Sequence, residues 1–274
     1  MTITVKQTDN KTTIDDALNL YYDFIAPFFS KVSFNTGVIV AAVNGEIVDI
    51  WKLDSKKVSY EQKSLMLSKD EIMAGWYCGP IVPKLDRVLG MSQGGGYDND
   101  LISGCSLEIY LEKQAKKVET NSNWPYATVE SYQAALLHEF GHIAYNTSNR
   151  CRFVTSNYNQ TLLKGALSLY KGKDLTQSID LFIPKPALLS EIFAFCTEYQ
   201  VSQQCFPEFK QRLDSYYAAK CEEWAAKEAE RDTRYDYSSL DEMYTAAAVI
   251  GRVLIEQYPQ DWPTVLIGGH FNFG

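Results

Sequence analysis

Residues 138 to 142 read His-Glu-Phe-Gly-His. Positions four apart on an α-helix lie one turn above each other, so His138 and His142 present their imidazoles to one space. Two imidazoles placed that way can hold a single divalent metal ion. Glu139, beside them, can take a proton from a water molecule polarised at that ion. The chain has three histidines, and two of them stand at this spacing.

The element that must carry this pair is a helix. Thr128 is a plausible N-cap, and the run from Val129 to Ala144 has no proline and many helix formers. Leu136, Leu137, Phe140, Ile143 and Ala144 surround the histidines with apolar side chains, which predicts a buried helix. Polar groups pointing inward from a buried helix are costly unless something satisfies them, and a metal does so. Two histidines rarely hold a catalytic ion alone, since three protein ligands and one open position are usual. His270 is the remaining histidine, in the tail Gly268-Gly269-His270-Phe271-Asn272. Glu191 is the better third candidate, opening a helical run at Ser190-Glu191-Ile192-Phe193-Ala194. Gly141 lies between the histidines, and a glycine inside a helix is unfavourable by about 1 kcal/mol relative to alanine. Facing Ala194, it would let the two helices approach closely enough for Glu191 to reach the ion.

A chain of 274 residues with 46% hydrophobic and 22% charged residues has ample material for a core. Its formal net charge of −8 argues against nucleic acid or an anionic membrane as partner. The N-terminus is too polar for a secretory signal, and no apolar run reaches transmembrane length, so the expected location is cytoplasmic. Six cysteines form no C-x-x-C pair, which reads as free thiols rather than a cysteine-bound structural zinc.

Ile14 to Ser30 reads as a helix. Val38 to Val43 and Glu46 to Leu53 read as strands joined by the hairpin dipeptide Asn44-Gly45. Gly94-Gly95-Gly96 reads as a loop. Leu107 to Glu112 alternates apolar and polar residues and predicts a half-buried strand, followed by a polar connection from Lys113 to Asn123. Later helices are expected at Gln160 to Tyr170, Leu188 to Gln203, Glu208 to Glu230 and Leu240 to Gln257, with Glu222 to Arg234 forming a solvated, charged face. Strands early and helices late predict an α+β chain of one domain. Residues 1–125 would form an N-terminal lobe with a small mixed sheet, and residues 126–274 the active-site helix and a mostly helical C-terminal lobe.

From His138 to Ala194 the chain resembles the gluzincins, zinc peptidases with a histidine pair on one helix and a glutamate on a later one. Its motifs resemble those of the lethal-factor-like group, which includes the Pro-Pro endopeptidases. Their pattern H-E-[F/Y]-G-H followed by E-x-F-A corresponds here to His138–His142 and Glu191-Ile192-Phe193-Ala194. The resemblance implies a zincin-like fold and one Zn²⁺ ion held by His138, His142 and Glu191. It also implies Glu139 as general base, and a peptide or protein substrate aligned on a sheet edge, for which Leu107 to Glu112 is in the expected place. That group carries a tyrosine about two helical turns before its glutamate ligand, to steady the oxyanion. Here that stretch is Phe182-Ile183-Pro184-Lys185-Pro186, and His270, Tyr145 and Tyr199 are the alternatives. Two other readings use the same residues: a catalytically silent zincin-fold binding protein, and a helical scaffold with core histidines and no metal.

Overall fold

The computed structural model describes residues 9–29, 37–54, 57–68, 71–72, 75–78, 83–89, 99–147, 186–230 and 240–268. Asp9 caps the first helix, α1 (Asn10–Leu20), accepting the Thr12 N–H on its carboxylate. The chain passes through a π-helical turn at Tyr21–Ile25 and continues as the short α2 (Ala26–Phe29). Strands β1 (Gly37–Val43) and β2 (Ile47–Leu53) form the expected hairpin. Its turn works as the sequence suggests. Gly45 takes φ +103°, a conformation disfavoured by any Cβ, while Asn44 Oδ1 accepts the N–H groups of Glu46 and Ile47. The third strand, β3 (Val58–Ser64), pairs antiparallel with β2.

After the two-residue β4 (Tyr77–Cys78) and α3 (Pro83–Leu89), β5 (Asn99–Cys105) lies parallel to β1, and β4 pairs antiparallel with β5. The sheet order is β3-β2-β1-β5-β4. It is a mixed sheet with β3 and β4 at its edges, and with the helices it makes an α+β architecture, mostly helical. The next elements are α4 (Leu107–Thr120), α5 (Val129–Thr147), α6 (Pro186–Cys205), α7 (Pro207–Glu230), α8 (Leu240–Gln257) and α9 (Trp262–Gly268).

One expectation fails. Leu107 to Glu112 is the start of helix α4, not an edge strand, and Lys113 to Thr120 continues it. Six alternating residues cannot separate a strand from a helix, but the longer window can. The buried positions Leu107, Tyr110 and Gln114 recur at helical spacing. Asn10 Oδ1 accepts the otherwise orphaned Leu107 N–H at 2.9 Å, and the Tyr110 N–H donates to the Ser106 carbonyl at 2.9 Å, closing the first turn. The helices expected after residue 188 are present, and α9 is one more, just before the tail that carries His270. Gly94-Gly95-Gly96, Gln160 to Tyr170, Phe182 to Lys185, Cys151 and His270 lie outside the described residues.

Helix α5 is held from three sides. A reciprocal cap fixes its start, with the Thr128 N–H donating to Ser131 Oγ and the Ser131 N–H to Thr128 Oγ1. Tyr132 donates its hydroxyl to the Cys105 carbonyl, tying α5 to β5, and Gln133 Nε2 donates to the Thr13 carbonyl on α1. Tyr21, in the π turn, stacks on Phe140 with ring centroids 4.2 Å apart. Its opposite flank packs along α6, and α6 packs in turn against α8. Among the described residues no helix is long and apolar enough to cross a membrane. Cys78, Cys105, Cys196, Cys205 and Cys221 are free thiols.

Candidate metal centre

Helices α5 and α6 meet where glycine faces alanine. A Cβ on Gly141 would lie 2.7 Å from Ala194 Cα and 2.8 Å from Thr197 Oγ1. The missing methyl is therefore what permits this helix spacing, and the spacing brings Ser190, Glu191 and Glu198 of α6 against the two histidines of α5.

Each imidazole is oriented through its Nδ1. That atom of His138 lies 3.0 Å from Glu198 Oε2, and that of His142 lies 2.8 Å from Ser190 Oγ. A carboxylate can only accept, so His138 donates from Nδ1 and leaves Nε2 as the atom able to bind a metal. Glu191 Oε2 lies 3.4 Å from His138 Nε2 and 3.5 Å from His142 Nε2. These separations are long for hydrogen bonds, and this buried oxygen has no hydrogen-bond partner. A tetrahedral ion with bonds of about 2.0–2.2 Å places its ligand atoms roughly 3.3–3.5 Å apart. Glu191 thus matches such an ion in its spacing to each imidazole, and the three groups match it in donor chemistry.

Glu139 borders the same space, since it, His138 and His142 offer ligand atoms all within 4.8 Å of one another, a cluster able to hold a metal ion. Two carboxylates therefore compete for one role, and their hydrogen bonds separate them. Glu139 Oε2 already accepts the Cys78 N–H from β4 at 2.8 Å, whereas Glu191 Oε2 accepts nothing.

The electrostatics follow from burial and neighbours. Burial opposes charge on His138, but Glu191 and Glu198 outweigh it and raise its pKa to about 10. Burial pushes Glu191 up, yet the two facing imidazoles hold it down at about 2. Burial also raises Glu139, against the pull of His138 and His142 and with added repulsion from Glu191.

A cavity of about 260 Å³ opens beside His138 and Glu139. Tyr244 of α8 lines it, with its ring 6.3 Å from that of Phe195. Burial, and then the nearby Glu191 and Glu139, push the Tyr244 phenol up to about 12. Among the described residues its hydroxyl has no hydrogen-bond partner. The two described tyrosines named from the sequence lie elsewhere. Tyr145 is buried with its ring 5.8 Å from that of Phe193, and Tyr199 is buried beneath Lys210 and Arg252. Nothing local marks Tyr244 among 18 tyrosines; only the packing of α8 on α6 brings it here. Glu198 had a local signal, its seven-residue spacing from Glu191, which puts both carboxylates on one helix face. Compared with protein-family profiles, curated proteins and solved structures, the chain matches none.

Proposed function

We propose that this chain is a zinc-dependent peptidase of the zincin type, with His138, His142 and Glu191 as metal ligands and Glu139 as general base. The observation that carries this reading is the Glu191 carboxylate oxygen, buried and unpartnered, poised 3.4 and 3.5 Å from two imidazole nitrogens. An unpaired buried carboxylate oxygen is costly, and a cation bound there removes that cost. Donors of two nitrogens and one oxygen suit zinc, and an ion so held would supply Lewis-acid polarisation of a carbonyl and a lowered pKa for water.

The chain's own residues supply the rest. Glu139 accepts a proton from the attacking water and passes it to the leaving amine, a role its raised pKa favours. The Cys78 N–H holds that carboxylate in place. Glu198 and Ser190 fix the two imidazole planes. Tyr244 donates its hydroxyl to the developing oxyanion, replacing the tyrosine missing before Glu191. With Leu107 to Glu112 helical, the sheet edge that reaches the site is β4, through the Cys78 N–H on Glu139.

The test is metal analysis of the purified protein together with cleavage of a peptide library, with and without chelator. One equivalent of zinc and chelator-sensitive cleavage that disappears in Glu139→Gln support the reading. Zinc without any cleavage would make this a binding protein, and no bound metal would remove the proposal altogether.

A further inference from the structure

The cavity beside His138 and Glu139 is walled by aromatic rings. Trp124, Tyr216, Tyr217 and Phe195 follow one another at centroid distances of 5.5, 5.1 and 5.8 Å, each pair edge to face, and Phe195 then meets Tyr244. Such a wall would suit an apolar side chain, except for what stands among the rings. Glu198 also lines the cavity, and it is 2% exposed. Its Oε2 is committed to His138 Nδ1, but its Oε1 is buried with no hydrogen-bond partner. Glu139 lines the same cavity, and no lysine or arginine does among the described residues. Lys117 Nζ and Lys220 Nζ already lie over the Trp124 and Tyr216 rings, at 4.5 and 5.9 Å, which leaves the faces of Tyr217, Phe195 and Tyr244 to the occupant.

These features decide between two kinds of occupant. A neutral apolar group would leave the Glu198 oxygen unpartnered and strip water from Glu139, returning nothing to either. A cation would be drawn both to the carboxylates and to the ring faces, whose quadrupoles favour positive charge. The electrostatic balance points the same way, because a divalent ion on His138 and His142 is outnumbered by the carboxylates of Glu139, Glu191 and Glu198. At about 260 Å³ the space is smaller than pockets for drug-sized ligands and suits one long side chain.

We propose that this aromatic cavity is the substrate-side-chain subsite of the metal centre, and that it selects a cationic residue, arginine above lysine, through Glu198 and the surrounding rings. Arginine is preferred because its planar guanidinium stacks on aromatic faces and sheds water more readily than an ammonium. The inference rests on the peptidase reading for the word substrate, but the binding it requires does not depend on turnover.

The experiment is calorimetric titration of the full-length protein with N-acetylarginine amide, its lysine counterpart, and the neutral isostere N-acetylcitrulline amide. Trp76 and Trp124 fluorescence serves as a second readout, since both line the cavity. Arginine should bind at least tenfold more tightly than citrulline, with lysine between them. Glu198→Gln keeps an acceptor for His138 Nδ1 while removing the charge, and should bring the arginine-to-citrulline ratio close to one. Tyr217→Leu should weaken arginine more than citrulline, which keeps the inference testable if Glu198→Gln folds poorly. Equal binding of arginine and citrulline, or no binding of any of the three at 10-millimolar-order concentrations, overturns it. Arginine selectivity in a protein that cleaves no peptide would sink the peptidase reading and leave the subsite. Cleavage without preference for a basic residue would do the reverse.

Discussion

Asp49 and Glu191 are both carboxylates withdrawn from solvent, and their surroundings differ in kind. Asp49, on β2, is buried and accepts from Asn10 Nδ2 at 2.8 Å, Tyr60 Oη at 2.8 Å and Gln62 Nε2 at 2.6 Å. Its charge is answered by neutral donors from α1 and β3, so it joins the first helix to the sheet. Glu191, on α6, has an oxygen without a hydrogen-bond partner, facing two ring nitrogens. The first carboxylate is finished by folding; the second, in the proposed reading, is finished by an added cation. Burial alone would not have told them apart, because what separates a structural acid from a ligand here is the state of its acceptor oxygens.

The contrast can be broken most sharply at Glu139. Glu139→Gln should leave metal content unchanged while lowering turnover by roughly 10²–10⁴-fold, the usual contribution of a positioned general base. Loss of the metal together with activity would make Glu139 a ligand and shift the unfinished acid from α6 to α5. Next comes a paired experiment. Asp49→Ala should destabilise the protein by about 1–3 kcal/mol, because buried donors lose their acceptor, and should leave metal stoichiometry intact. Glu191→Gln should do the opposite, abolishing metal-dependent stabilisation while shifting the denaturant midpoint of the metal-free protein by no more than about 1 kcal/mol. Equal effects from both would erase the distinction.

Gly141→Ala tests the frame around the site. Its methyl would press on Ala194 Cα, so a loss of roughly 1–3 kcal/mol and weaker metal binding are expected from denaturation and competitive chelation. The smallest effect concerns an exposed acid. Hydrogen bonds from Lys84 and from Ser68 hold Glu71 at about 2, below its unreacted value of 4.5. A carboxyl depressed on folding contributes stability above pH 4.5 and loses it as pH falls from 4.5 towards 2. Lys84→Met should lie slightly below the parent in stability at neutral pH and converge with it in acid. A constant gap down to pH 2 would mean that the pair is inert.

What could be read in the sequence was what is local and periodic. The bounds of α5 follow from its capping threonine and apolar spacing, and the contact of Gly141 with Ala194 follows from the oddity of a glycine inside a helix. The hairpin was legible because Asn44-Gly45 has turn chemistry of its own. Helix α4 was not, since Leu107, Ile109 and Leu111 satisfy both periods until the following turns are counted. β5 pairs in parallel with β1 across more than fifty residues of chain, and no short window carries that partnership. The aromatic cavity was hidden for the same reason. Trp124 precedes α5, Phe195 is on α6, Tyr217 on α7 and Tyr244 on α8, so the wall exists only once four segments have packed.

The π-helical turn at Tyr21–Ile25 adds a constraint on chain length. A π turn holds one residue more than the helix around it needs, and here the surplus accompanies Tyr21 stacked on Phe140, the neighbour of Glu139. Deleting one residue in that turn would close it into ordinary α-helix, and any side chain of the turn displaced by one position would swing about 100° around the axis, away from the face it now occupies. None of the candidate ligands would change, yet the ring behind helix α5 would lose its register. This stretch should therefore be sensitive to length as well as to loss of the Tyr21 ring, and a deletion scan would find a length-sensitive point more than a hundred residues before the histidine pair.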